Sequence, residues 1–318
     1  MTTELRHLHH VGHVVHDMAA ALALYRRLGF DCAPAMYPVI APAEGEPAQP
    51  FGVANTHANF LRNFIELATA ASVGAPLPED AVLVPIQVPA AVLPRILDAL
   101  KRSVATLAAG LARFEGLHIL VLQSDDIAAS AARLDSEGVR HSGVNTAQRQ
   151  IETTDGMRVT PVRFLEIDQE PVPEGRLAIA ENPPSSILQT QRHMAHPNGA
   201  LDLVEAILCV PDHEQEAHTQ RYARYLGRTA RVEDTLRIFD LQDACITLVP
   251  AASLGKLLPG ETAPALPAFV AYAVTVRDLR TTETLLRQNG FQVATSAARD
   301  IFVPARSALG AAVIFRQG

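Results

Sequence analysis

Apolar residues near the start of the chain change rhythm once, within residues 8–30, "LHHVGHVVHDMAAALALYRRLGF". The first part is a compact apolar run that predicts a strand. It stops at Asp17, whose carboxylate suits a helix N-cap because it can accept from the unpaired N–H groups of a first turn. "MAAALALYRRL" then spaces its apolar residues for one helical face, closes on Arg26 and Arg27, and meets a stop at Gly29. Basic residues favour the negative end of the helix dipole, and glycine tolerates the left-handed geometry that ends a helix.

The same order recurs at "LHILVLQSDDIAASAARLDSEGV", with Asp125 or Asp126 as the cap and Gly138 as the stop. It returns at "DLVEAILCVPDHEQEAHTQRYARYLG" with Asp212 and Gly227, and at "FVAYAVTVRDLRTTETLLRQNGF" with Asp278 and Gly290. Strand-like runs follow each glycine, among them "FLRNFIELAT", "RVTPVRFLEI", "RIFDLQDACITLV" and "GAAVIF". The repeating unit is a strand, a helix and then about three strands. Such units cannot bury a sheet face alone and must pair. Proline and polar residues in "ENPPSSILQTQRHMAHPNG" mark the break between halves. Two domains are expected, residues 1–185 and 186–318, with a helical insertion at about 89–113 that packs on the first pair or closes over it.

Composition narrows the partners. Hydrophobic residues make up 48% of the 318 and charged residues 19%, enough for extensive cores. Lys plus Arg number 27 against 34 Asp plus Glu, and tryptophan is absent, so neither a basic footprint nor a stacking platform for nucleic acid is present. The three cysteines, Cys32, Cys209 and Cys245, are far apart and form no C-x-x-C pair, which fits buried thiols in a reducing compartment. No apolar run suits a signal core or a membrane span, so a soluble cytoplasmic protein, monomer or homodimer, is expected. No G-x-x-x-x-G-K-[ST], dinucleotide fingerprint or G-x-S-x-G elbow appears. His193 and His196 are followed at once by Pro197, Asn198 and Gly199, which makes that pair part of a turn.

The four-fold grammar, "LHHVGHVVHDMAAALALYRRLGF" with its "NFIELAT", "HPNGA" before a strand and the closing "FVPARSALGAAVIF" resemble the vicinal oxygen chelate superfamily. That group includes glyoxalase I, bleomycin-resistance proteins, methylmalonyl-CoA epimerase and extradiol dioxygenases. The resemblance implies an α+β fold of four βαβββ modules paired into two domains. Mixed curved sheets would form cups, with helices outside. It also implies a metal ligand seven residues before each capping aspartate and a carboxylate on each module's last strand. Those positions are His10 and Glu66 in the first module, and His118, counted from Asp125, with Glu181 in the second. Glu166 substitutes for Glu181 if the module ends earlier. In the second half they are Glu205, Ala271, Thr247 and Ile314, so no metal is expected there.

Two imidazoles and one or two carboxylates suit Fe, Mn, Ni or Zn with a position open for substrate. Strand alternation sends His9 and His13 to the face opposite His10, and leaves His7 and His16 as further bystanders. In "VANTHANF" the same alternation places Asn55, His57 and Asn59 together as substrate contacts, with His57 a possible proton shuttle. The expected activity is metal-dependent chemistry on a small molecule with vicinal oxygens. Glyoxalase-like isomerase or lyase chemistry is favoured; ring-cleaving dioxygenation and non-catalytic drug or metabolite binding are the alternatives.

Overall fold

Each long apolar run forms a strand, and a capping carboxylate fixes where three of the four following helices begin. The computed structural model describes residues 4–41, 46–86, 92–167 and 173–318; the start of the expected insertion, residues 89–91, lies outside them. β1 (Leu5–Val14) leads to Asp17, whose Oδ1 accepts the Ala20 N–H at 3.0 Å and opens α1 (Met18–Arg27). β2 (Met36–Ile40), β3 (Gln49–Pro50), β4 (Gly52–Asn59), β5 (Phe64–Ala71) and β6 (Val82–Pro85) follow, then α2 (Leu93–Arg113). β1 runs parallel to β5, β5 pairs antiparallel with β4, and β2 extends the sheet outward between β4, β3 and β6.

β7 (Gly116–Ser124), α3 (Ile127–Ser136), β8 (Asn145–Thr153), β9 (Gly156–Ile167) and β10 (Arg176–Ala180) repeat the order. Asp126 is the cap of α3, accepting from Ala128 and Ala129 N–H at 3.0 and 3.1 Å. β7 is parallel to β10, and β10, β9 and β8 continue antiparallel. β1 and β7 lie antiparallel at the centre and join the two sets.

After α4 (Ser185–Leu188) come β11 (Ala200–Val210), α5 (Gln215–Leu226), β12 (Arg231–Glu233), β13 (Leu236–Asp240), β14 (Cys245–Pro250) and α6 (Ala251–Leu257). β15 (Ala268–Val276), α7 (Leu279–Gln288), β16 (Ala294–Thr295), β17 (Ile301–Val303) and β18 (Ala312–Gln317) complete the chain. Asp278 caps α7 through Thr281 N–H at 2.6 Å. Asp212 departs from its expected role. A 3₁₀ turn, Asp212–Glu214, precedes α5, and the Asp212 carboxylate accepts the Ala252 N–H of α6 at 3.0 Å instead. The expected stops all take left-handed geometry, Gly29, Gly138, Gly227 and Gly290 at φ 84°, 67°, 63° and 82°.

The result is an α+β protein built on a mixed sheet, with β1–β7 and β11–β15 as its two antiparallel centres. Both centres share an irregularity. The β1–β7 ladder skips Arg6 and His9 on one strand and His118 on the other; the β11–β15 ladder skips Leu201, Val204 and Val270. A skipped residue is a β-bulge, which breaks alternation and re-aims its neighbours. Close approach at the first centre depends on Gly12, where an added Cβ would lie 2.7 Å from Ile119 Cβ. α2 lays Leu107 on the apolar patch of Val14, Ala68, Ile119, Val121, Ala178 and Ala180. Among the described residues no helix is long and apolar enough to cross a membrane.

The apolar core runs unbroken from α1 to β18, and one buried polar chain crosses it. His13 Nδ1 and Tyr25 OH are 2.6 Å apart, and Tyr25 OH and Tyr272 OH 3.0 Å. Burial pushes His13 from 6.5 down to about 3, so the folded ring is neutral while the unfolded one titrates normally. Stability carried by this ring is therefore complete above pH 6.5 and lost as pH falls towards 3. Near pH 5, replacing His13 with Gln is expected to flatten the dependence of unfolding free energy on pH by about 1.4 kcal/mol per pH unit. Denaturant melts at pH 7, 6 and 5 measure it; equal slopes in the two proteins would contradict the assignment.

Candidate functional site

The bulge at His9 determines what β1 presents. Because the ladder omits that residue, His9 and His10 do not point to opposite faces as alternation predicts. Their Nδ1 atoms lie 2.8 Å apart, one ring donating to the other, and both rings pack on Phe64. His10 stacks on Phe64 with centroids 4.4 Å apart and 13° between planes, while His9 meets it edge-on at 5.2 Å. His57, from β4, covers another part of the same ring at 4.5 Å.

β5 supplies the carboxylate. Phe64 is the register partner of His10, and Glu66, two residues on, shares the Phe64 face. Across the antiparallel ladder Glu66 faces His57. Its Oε1 accepts Asn55 Nδ2–H at 3.0 Å, and its Oε2 lies 3.6 Å from His10 Nε2. On β4, Val53, Asn55, His57 and Asn59 are half-buried and alternate with buried Ala54, Thr56 and Ala58, as the sequence pattern predicts. Asn55 and His57 meet Glu66 and Phe64 respectively. The Asn59 side-chain oxygen is buried with no hydrogen-bond partner among the described residues.

Two arginines that the sequence did not single out complete the surroundings. Arg149, in the polar strand β8, places its guanidinium carbon 4.5 Å from the Phe64 ring centroid. Arg176, on β10, is held by Glu166 of β9 at 2.5 Å. The charge states follow from burial. His9 and His57 are each pushed down to about 3, first by loss of water and then by the positive charge of Arg149. His10 is held well below 6.5 by burial and then by His9. Burial lifts Glu66 above 4.5, and the Asn55 hydrogen bond with the two arginines only partly offsets this. Arg149 is lowered to about 10 by burial, with Glu66 opposing. Neutral imidazoles, a carboxyl raised above its ordinary pKa and a guanidinium thus share one face.

The structure brings His10 and Glu66 together and places His118 and Glu181 elsewhere. Counting back seven residues from the observed cap, Asp126, reaches Ile119 rather than His118. The strand register agrees: Ile119 is opposite Arg176 on β10 as His10 is opposite Phe64 on β5, so the counterpart of Glu66 is Ala178. His118 is buried just past the end of α2, its Nε2 2.8 Å from the Phe114 carbonyl oxygen and its ring 4.3 Å from that of Phe114. Glu181 secures the start of α3, accepting from Ile127 N–H at 3.1 Å and from Arg163 at 2.7 and 2.6 Å. Glu166 is committed to Arg176. In the second half, Glu205 accepts from Thr247 Oγ1 at 2.5 Å and pairs with Arg316 at 2.9 Å.

These residues do not fit a resident divalent ion. Among the described residues no three His, Cys, Asp or Glu side chains gather as a ligand set. His10 and Glu66 supply two donors where a catalytic zinc site uses about three protein ligands. The remaining charged neighbours are cationic arginines, which repel a metal ion.

Known proteins agree with the fold. Residues 8–226 match the family described as Glyoxalase-like domain. No curated protein matches the sequence. A hypothetical protein from Staphylococcus aureus superposes with a TM-score of 0.56 at 13% identity, covering 98% of this chain and 99% of that one. A mutant 4-hydroxymandelate synthase from Streptomyces coelicolor gives 0.57 at 12%, covering 100% and 93%. A xylose isomerase-like TIM barrel/4-hydroxyphenylpyruvate dioxygenase fusion protein gives 0.57 at 10%, covering 100% of this chain and 50% of its own. At these identities the likeness concerns the fold alone. With its family match spanning more than half its length and its repeated strand–helix grammar, the chain belongs to the glyoxalase-like domain family, within the vicinal oxygen chelate superfamily.

Proposed function

We propose that this protein is a glyoxalase-like isomerase or lyase that moves a proton on a small oxygenated molecule seated over His10 and Glu66. The observation that supports this most is the Glu66 carboxyl. It is half-buried, raised above its ordinary pKa, oriented by Asn55 through one oxygen and left with the other 3.6 Å from a neutral imidazole. A carboxylate raised towards neutrality is suited to take a proton from a carbon next to a carbonyl and return it elsewhere. Asn55 fixes the direction of attack, and the neutral His10 ring can donate to a developing oxyanion or relay the proton. His57, opposite Glu66, walls the site and stays uncharged. The ring-cleaving alternative needs a metal centre that these side chains do not assemble, and it has less support. The same shortfall favours one second reading, sequestration of an oxygenated ligand without chemistry.

Proton transfer is tested by following solvent deuterium into carbon-bound positions of 2-oxo and 2-hydroxy compounds by NMR. Replacing Glu66 with Gln, which keeps size and hydrogen bonding, is expected to slow exchange by about 10²–10⁴-fold with the melting temperature retained. Since the base form does the work, wild-type activity should fall as pH drops through a pKa above 4.5. Exchange at the wild-type rate in the Gln variant would remove Glu66 from the mechanism. Binding with no exchange in either protein would favour sequestration.

Independence from metal has its own measurement. Elemental analysis of protein purified without chelators should show no stoichiometric Fe, Mn, Ni or Zn, and added ions should leave the melting temperature unchanged. A stoichiometric ion that is lost in His10→Ala would contradict the reading.

A further inference from the structure

We propose that Arg149 is an anion anchor, and that the molecule bound over His10 and Glu66 is a small organic carboxylate. This rests on the site described above but concerns recognition and not proton transfer. The other arginine that acts on this site, Arg176, is held by Glu166. Arg149 is different. Among the described residues its only close contact of this kind is the Phe64 ring, with its guanidinium carbon 4.5 Å from the centroid, and no carboxylate or carbonyl pairs with it.

The Arg149 nitrogens are not among the buried polar atoms that lack a partner, so they reach solvent and stay open to an incoming acceptor. Contact with an aromatic face compensates part of the charge but uses none of the N–H donors, which lie in the guanidinium plane. Those donors form a fork that matches the two oxygens of a carboxylate. Glu66 is near enough to feel this charge without forming an ion pair with it.

Phe64 sets the geometry. Its ring carries Arg149 at 4.5 Å, His10 at 4.4 Å and His57 at 4.5 Å. A ligand whose carboxylate sits on the Arg149 fork therefore lies beside the ring that His10 and His57 also touch. Specificity for an anion follows because the three histidines contribute no competing charge, while an unpaired cation rewards one.

Calorimetric titration of the full chain with benzoate, its neutral isostere benzamide and inorganic phosphate tests the proposal. Wild type should bind benzoate and prefer it to benzamide by tenfold or more. Arg149→Gln should weaken benzoate binding by about 10–100-fold, the usual loss for a charged hydrogen-bonded pair, and leave benzamide unchanged. Arg149→Lys should recover part of the loss, since it keeps the charge but not the fork. Because no ion pair is broken and only the Phe64 contact is lost, Arg149→Gln should melt close to the wild-type temperature. Glu66→Gln is read by loss of deuterium exchange and Arg149→Gln by loss of benzoate binding, so failed proton transfer and failed anion recognition are separable. Undiminished binding in Arg149→Gln, no binding of benzoate by wild type, or a preference for phosphate would each overturn the assignment.

Discussion

β1 is hydrogen-bonded along both edges, parallel to β5 and antiparallel to β7. Between Leu8 and His10 the antiparallel ladder leaves out one residue while β5 still pairs from His10 onward. That mismatch places two imidazoles on one face, above the Phe64 that β5 delivers opposite His10. Glu66 follows two residues later, and β4 brings Asn55 and His57 against it. The corresponding skip in β7 falls on His118, so the residue that occupies His10's position there is Ile119. The two strands skip at equivalent positions, and the residue after the skip, His10 in one and Ile119 in the other, separates a strand bearing chemistry from its apolar counterpart.

Burial then decides the charges. In water Glu66 would be ionised and the histidines partly protonated near neutral pH. On this face desolvation outweighs Coulomb attraction at Glu66, which rises although Asn55 and two arginines oppose it, while on the imidazoles burial and neighbouring positive charge act together to lower them. Arg149 stays cationic even after its lowering to about 10, which leaves positive charge beside neutral imidazoles. Such a face is poorly suited to a divalent cation and well suited to an oxygenated anion.

Most of the fold was legible because the signals that carry it are local. Asp17, Asp126 and Asp278 cap their helices through their own side chains, and the glycine stops depend on backbone sterics at one residue. Asn55 and His57 were found by simple alternation on an undisturbed strand. His10 and Glu66 were found by resemblance, and the structure places them side by side. The rest depended on partners far away in sequence. Nothing in "LHHVGH" reveals that His9 is skipped, and "SDD" does not say which aspartate caps; a count from Asp125 puts His118, with Glu181, beside His10, whereas the observed cap is Asp126. Arg149 lies in the polar run "NTAQRQIET" and stands out only once β8 is folded near Phe64.

The most direct test of this account is a crystal structure of the full chain grown with 3-bromobenzoate, with anomalous data collected at the bromine edge and at the iron, nickel and zinc edges. The account predicts a bromine peak above Phe64, the carboxylate on the Arg149 guanidinium, and no metal peak between His10 and Glu66. A metal peak bridging His10 Nε2 and Glu66 Oε2, with the ligand absent from Arg149, would contradict it.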